Sequence, residues 1–166
     1  MFRSKIKDLS DQGLELFNNN RFDEAEKIYK EIIKLDNKNS DSYCALGTIN
    51  AIRKNYKEAL NFFDITTQLE PKNYFAFNNL GTICFKFQKF TAALEYYNKA
   101  IIIKPDYINA LNMSALTHEK LNDLENSLKD YVQIQLLEPS GKYIDGLVLL
   151  TKAKLCLWNG FDYALN

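Results

Sequence analysis

Apolar side chains recur along most of the chain at the spacing of an α-helix. Between positions 25 and 33, Ala25, Ile28, Tyr29, Ile32 and Ile33 would lie on one face of a helix. No stretch keeps the sustained alternation of apolar and polar residues that a half-buried strand requires. The pattern therefore predicts an all-α fold.

Residues of the same kind also recur with a spacing of 34 positions, without insertion or deletion. Two columns hold small residues, which let the helices of a pair approach closely: Gly13, Gly47, Gly81 and Ala115, then Ala25, Ala59, Ala93 and Ser127. A third column holds aromatic residues, which we expect to fill the space between successive pairs: Tyr29, Phe63, Tyr97 and Tyr131. The spacing predicts four helix pairs.

Further columns mark where the helices end. Proline disfavours helix in the residue before it, so the following column should stop the second helix of each pair: Asn37, Pro71, Pro105 and Pro139. The first helix should end near "NNNRF", "RKNYK", "FQKF" and "KLNDL", where a polar residue can take the left-handed cap conformation. An apolar residue then plugs each turn: Phe22, Tyr56, Phe90 and Leu124.

These columns resemble the consensus of the tetratricopeptide (TPR) repeat. The matching positions are Tyr43, Leu46, Gly47, Ala59, Phe63 and Pro71 in one copy, and Phe77, Leu80, Gly81, Ala93, Tyr97, Ala100 and Pro105 in the next. The resemblance implies a right-handed α-α superhelix (TPR solenoid) of four repeats, at residues 6–39, 40–73, 74–107 and 108–141. Residues 1–5 would be an N-terminal lead, and residues 142–166 a capping helix with an apolar tail.

The first helices of such repeats line a concave face, which here would carry amides, hydroxyls and phenylalanines. The predicted peptide-binding residues are Thr48, Phe75, Asn78, Asn79, Thr82, Phe85, Asn109 and Asn112. Amide side chains can bond the backbone of an extended peptide while apolar neighbours hold its side chains. The resemblance thus favours a non-catalytic scaffold that binds a peptide or a partner helix. The alternative is that these are simply solvated polar residues.

The C-terminal segment is more apolar than a capping helix needs to be. One stripe, Tyr143, Leu147, Leu150 and Leu157, could pack on the fourth repeat. A second stripe, Ile144, Val148, Leu155 and Trp158, should then stay uncovered. We expect a homodimer or a protein partner to contact this second stripe.

The same segment suggests an alternative function. In O-GlcNAc transferase-like glycosyltransferases, the junction between the TPR array and the catalytic region often contains Cys-Asp-Trp, and "KLCLWNGFDY" is similar to it. Cys156 and Trp158 match, whereas Leu157 stands in place of Asp. This resemblance implies a truncated or separately encoded targeting array for such an enzyme.

Composition and candidate chemistry point away from catalysis. His118 is the single histidine, no Gly-rich phosphate loop occurs, and the three cysteines lack CxxC spacing, so we expect no enzyme activity, cofactor or metal. Acidic and basic residues balance at 21 each, which does not favour nucleic acid. We expect a cytoplasmic protein with no membrane partner, because no signal sequence or long apolar run is present.

Overall fold

The computed structural model describes residues 2–139 and 141–164, and all regular structure within these ranges is helical. Helices of 13 or 14 residues follow a longer first helix, and a long final helix ends the chain. Their bounds are α1 Phe2–Asn18, α2 Phe22–Leu35, α3 Ser40–Ile52, α4 Tyr56–Leu69, α5 Tyr74–Lys86, α6 Phe90–Ile103, α7 Ile108–Lys120, α8 Leu124–Leu137 and α9 Lys142–Ala164. Helices α1 to α8 form four pairs, and residues 2–5 of the predicted lead are part of α1.

The turn inside each pair has one backbone conformation that recurs every 34 residues. A residue with positive φ precedes each second helix by two positions: Asn20, Lys54, Gln88 and Asn122, with φ of 59°, 64°, 58° and 59°. Each second helix then begins at the predicted apolar plug, as in Phe22, whose ring packs edge-on against Phe17 at 5.5 Å between centroids. The left-handed cap predicted from the sequence is confirmed in every pair.

The second helices stop where the proline column predicts. The residues before the three prolines, Glu70, Lys104 and Glu138, have φ between −128° and −136° and lie outside the helical region. Asp36 adopts a similar conformation, with φ of −139°, although Asn37 follows it. The column therefore ends the helix at the same point with or without proline.

Small and aromatic residues meet inside each pair. A Cβ atom added to Gly47 would lie 2.7 Å from the Phe63 ring, and one added to Gly81 would lie 2.6 Å from the Tyr97 ring. The sequence predicts that these rings fill the space between pairs, whereas the structure shows that each packs against the glycine of its own pair. Tyr131, whose pair has Ala115 in place of glycine, belongs to the core that α9 joins.

The chain divides into two compact units, Met1–Asn79 and Leu80–Asn166. The first unit has a core of buried side chains from α1, α2 and α3: Leu16, Ala25, Tyr29, Ile32, Leu46 and Ile49. In the second unit, α7, α8 and α9 share a core made of Leu111, Ala115, Tyr131, Ile134, Ile144 and Val148.

The second-unit core corrects the prediction for α9. Ile144 and Val148 are 9% and 4% exposed and pack on α8, so the expectation that they lie on an uncovered stripe is wrong. Tyr143 and Leu150, expected to face the fourth repeat, are 75% and 51% exposed. Thr151 completes the buried stripe, since its hydroxyl donates to the carbonyl of Leu147 at 2.8 Å and needs no partner from water.

The other two residues of that predicted contact are Leu155 and Trp158. Leu155 is partly buried on α9, and the side chain of Trp158 lies outside the described residues. Helix α9 itself continues to Ala164, through the segment that was expected to form the tail.

Candidate peptide-binding groove

A groove of about 490 Å³ opens in the first unit along the faces of α1 and α3. Its volume falls in the range of about 300 to 1,000 Å³ that is typical of ligand sites. The residues that line it define the first-unit groove: Ser10, Asp11, Leu14, Phe17, Tyr29, Asp41, Ser42, Cys44, Ala45, Thr48, Asn73 and Phe75.

The first-unit groove is lined by both exposed and buried apolar side chains. Leu14 and Phe75 are 54% and 40% exposed, although both are large apolar residues. Tyr29 and Cys44 also line the groove, but they are buried. Because the floor is fixed by the core and the two exposed side chains border open space, a ligand could cover Leu14 and Phe75 without unfolding anything.

The electrostatic character of the first-unit groove is acidic. Its charged lining residues are Asp11 and Asp41, both exposed. Burial, together with smaller contributions from the charges of Asp41 and Glu70, raises the pKa of the Cys44 thiol to about 12. Burial also raises the pKa of the Tyr29 hydroxyl, with a smaller contribution from Asp41. Cys44 is therefore a neutral thiol at pH 7 and a poor nucleophile.

Several polar side chains of the first-unit groove are already bonded within the chain. The Thr48 hydroxyl donates to the carbonyl of Cys44 at 2.9 Å. The Asn73 amide nitrogen donates to Glu70 at 2.8 Å, while its oxygen accepts from the backbone N–H of Ala76 at 2.9 Å, which caps α5. These groups stabilise the helices, and less of their bonding capacity remains for a ligand.

The structure brings two of the predicted peptide-binding residues into this groove, namely Thr48 and Phe75. Asn78 is only 8% exposed and is part of the protein interior. Asn79 is partly buried, and its amide donates to the carbonyl of Phe75 at 2.8 Å. The amides expected to bond a peptide backbone are thus less available than the sequence suggested.

The other predicted residues lie in the second unit and are described there by themselves. Thr82 is exposed, with its hydroxyl 3.5 Å from that of Tyr97, and the Phe85 ring packs edge-on against Phe90 at 5.5 Å between centroids. Asn109 is exposed and Asn112 is partly buried. Their role in binding stays a prediction.

Sequence reasoning missed the contribution of α1. Leu14 occupies the same repeat position as Thr48 and Thr82, 34 residues apart, and Asp11 occupies the position of Ala45 and Asn79. Extending the predicted columns back by one repeat would have found both residues. A prediction based on hydroxyl and amide side chains misses both residues, because the first repeat has a leucine and a carboxylate at these positions.

The remaining candidate features can be placed more briefly. Among the residues that the structure describes, no group of His, Cys, Asp and Glu could hold a metal ion, and no helix could span a membrane. His118 Nδ1 lies 3.0 Å from the carboxylate of Asp123, which also caps α8. Cys156 is exposed on α9. The glycosyltransferase alternative, which depends on Cys156 and Trp158, stays a prediction.

Comparison with known proteins identifies the class. Models of the tetratricopeptide repeat match residues 10–73 and residues 74–107. The chain therefore belongs to the tetratricopeptide repeat family, and its fold is the predicted all-α TPR solenoid.

Solved structures agree with this fold. A crystal structure of MamA has a TM-score of 0.78 at 19% identity, over 93% of this chain and 85% of MamA. YrrB, a TPR protein with an unusual peptide-binding site, has a TM-score of 0.73 at 19% identity, over 93% of this chain and 83% of YrrB. PilF of Pseudomonas aeruginosa has a TM-score of 0.82 at 12% identity, over 95% of this chain and 72% of PilF.

A comparison with curated protein sequences gave no match. The TPR repeats nevertheless support the coarse functional prediction that the chain is a protein-interaction scaffold.

Proposed function

We propose that the chain binds a peptide or a partner helix in the first-unit groove. The observation that carries this proposal is the exposure of Leu14 and Phe75 at the border of a 490 Å³ groove formed by first helices of the repeats. An apolar side chain of a ligand would bury both residues, at about 25 cal/mol for each Å² of apolar surface removed from water.

The chemistry of the groove favours binding over catalysis. Cys44 is the thiol of the lining, and its pKa of about 12 keeps it protonated at pH 7. His118 belongs to α7 in the second unit and does not line the groove. In the described part of the groove, no hydroxyl or thiol is hydrogen-bonded to a lining carboxylate, so the side chains favour recognition over nucleophilic catalysis.

Selection from a random peptide library displayed on phage tests the proposal with the full chain as bait. Bound peptides should lose affinity on Phe75→Ala and on Leu14→Ala, by roughly fivefold or more for each substitution. Both side chains are exposed, so neither variant should change the melting temperature by more than a few degrees.

Ile102→Ala is the matched control, because Ile102 is 79% exposed on α6 and does not line the groove. It should leave peptide affinity unchanged. If the selected peptides bind all three variants as tightly as the original chain, the ligand does not use the first-unit groove and the proposal fails.

A further inference from the structure

The charged residues of the first-unit groove lack internal partners. Asp11 lies on α1 and Asp41 in the first turn of α3, and both side chains are exposed. Within residues 2–139 and 141–164, neither carboxylate is hydrogen-bonded or ion-paired to another side chain. Among the described residues that line the groove, none is Lys, Arg or His. Within the described residues, the groove therefore presents two carboxylates that have no ion-pair partner.

Acidic and apolar side chains both line the groove. Asp11 and Leu14 are three residues apart and share a face of α1. Asp41 and Phe75 are 34 residues apart, so they occupy equivalent positions on α3 and α5. A ligand that covers Leu14 therefore lies beside the carboxylate of Asp11.

The carboxylates are the strongest source of ligand selectivity in the groove, because other polar side chains that line it are already hydrogen-bonded within the chain. Thr48 and Asn73 donate to acceptors in their own chain, as described above. A cation that meets a carboxylate forms a charge-assisted hydrogen bond, which is stronger than a bond between neutral groups. An anionic ligand would instead be repelled, at a cost that falls as salt screens the charges.

We propose that the first-unit groove selects peptide segments in which a Lys or Arg residue stands beside an apolar residue. The inference rests on the peptide-binding function proposed above and specifies its ligand. The cationic side chain pairs with Asp11 or Asp41, and the apolar side chain covers Leu14 or Phe75. A small polyamine satisfies only the carboxylates and leaves both apolar residues exposed to water.

Fluorescence anisotropy with the full chain and three labelled peptides tests this inference. One peptide alternates Leu with Lys, the second has Gln in place of Lys, and the third has Glu in place of Lys. The Lys peptide should bind roughly tenfold more tightly than the Gln peptide, and the Glu peptide most weakly. Raising the salt concentration from about 50 mM to about 500 mM should reduce the difference.

Substitutions assign the selectivity to the two carboxylates. The double variant Asp11→Asn, Asp41→Asn should lower affinity for the Lys peptide by roughly tenfold and leave the Gln peptide unchanged. Asp64→Asn is the matched control, because Asp64 is also an exposed aspartate of the first unit but does not line the groove. A melting curve is also measured for each variant. Asp41 lies in the first turn of α3, where a carboxylate is stabilised by the positive end of the helix dipole, so its substitution can change stability as well as binding.

The outcomes separate this inference from the proposed function. If all three peptides bind equally and all are weakened by Phe75→Ala, the charge selectivity is wrong and the peptide groove stands. If Phe75→Ala and Leu14→Ala change the binding of no peptide, both proposals fail. Selective binding of the Lys peptide that survives the double Asn variant places the cation site elsewhere. Spermine binding as tightly as the Lys peptide would replace the peptide by a polyamine.

Discussion

Gly81 and Tyr97 are packed so closely that the Tyr97 ring occupies the space where a side chain on Gly81 would begin. A Cβ atom on Gly81 would lie 2.6 Å from Cε1 and 2.8 Å from Cδ1 of that ring. Tyr97 is fully buried, and burial raises the pKa of its hydroxyl to about 12. The ring therefore has little freedom to move away, and the contact fixes the distance between α5 and α6 in the second unit.

Gly81→Ala should lower the free energy of unfolding by about 1 to 3 kcal/mol, because the added methyl group overpacks this contact. Gly146→Ala is the control, since no atom lies within 4 Å of a Cβ built on Gly146 in α9. It should raise the free energy of unfolding by up to about 1 kcal/mol, through helix propensity. Urea denaturation measures both, and equal stabilisation by the two substitutions would contradict the close packing.

Lys54→Gly should stabilise the fold by about 0.5 to 1 kcal/mol. Lys54 is exposed and has a φ of 64°, a conformation that costs a non-glycine residue energy and costs glycine almost none. Lys57→Gly, also exposed but inside α4, should destabilise by about 1 kcal/mol because glycine weakens helices. Thermal melting that moves in the same direction for both variants would contradict the left-handed turn.

Arg53→Met should destabilise the first unit more at pH 7 than at pH 3.5. Arg53 bonds the carboxylates of Glu26 and Asp23 on α2. Lys30 lowers the pKa of Glu26 most, and Arg53 lowers it further. A depressed folded pKa gives stability that is present above the unfolded pKa and is lost as pH falls through the folded pKa.

We expect a loss of at most about 1 kcal/mol at pH 7, because water screens this partly exposed group of charges. Arg21→Met is the control, since Arg21 forms an exposed pair with Glu24 only three residues away. It should change stability less than Arg53→Met does. Urea denaturation at the two pH values measures the effect, and a loss from Arg53→Met that is the same at both would show that the charges contribute nothing.

Val148→Ala should cost about 1 to 3 kcal/mol of unfolding free energy, because Val148 is 4% exposed in the core that α8 and α9 share. Leu149→Ala, one position further along α9 and 68% exposed, should change stability by less than about 0.5 kcal/mol. Guanidinium denaturation followed by circular dichroism distinguishes the two. The reverse order would restore the uncovered stripe predicted from the sequence.

The fold could be predicted well from the sequence because the same positions recur in all four repeats. One glycine or one asparagine in a turn means little, whereas Asn20, Lys54, Gln88 and Asn122 share one spacing and one conformation. Tandem copies thus reveal a backbone requirement that no single residue type encodes. Lysine and glutamine are poor indicators of positive φ, and only their position in the column identified it.

Helix α9 has no such copy, and there the prediction failed. Two apolar stripes of similar strength run along it, and hydrophobicity alone does not say which one faces α8. Thr151 made the buried stripe look polar, although its hydroxyl is bonded to its own helix. Gln135 then fixes the orientation from α8, with its amide 2.6 Å from the carboxylate of Asp145.

Only part of the groove could be predicted from the sequence, because the availability of a side chain depends on contacts that residue types do not show. Composition identified a face rich in amides, but hydrogen bonds within the helices, such as that of Asn79 to the carbonyl of Phe75, are not visible in a list of residue types. Burial of Asn78 depends on the rotation of α5 by a fraction of a turn. Helical periodicity does not resolve so small an angle.

The recurring turn also bears on how such a chain can change its length. Each 34-residue copy contains its own turn with a residue of positive φ, and each of the first three copies also contains its own contact between glycine and an aromatic ring. A duplicated copy would arrive with both, so it would not need a newly invented loop. Arrays of this kind can therefore gain or lose whole repeats through recombination of the coding DNA. An insertion of a few residues would instead disrupt the 34-residue spacing on which each turn depends.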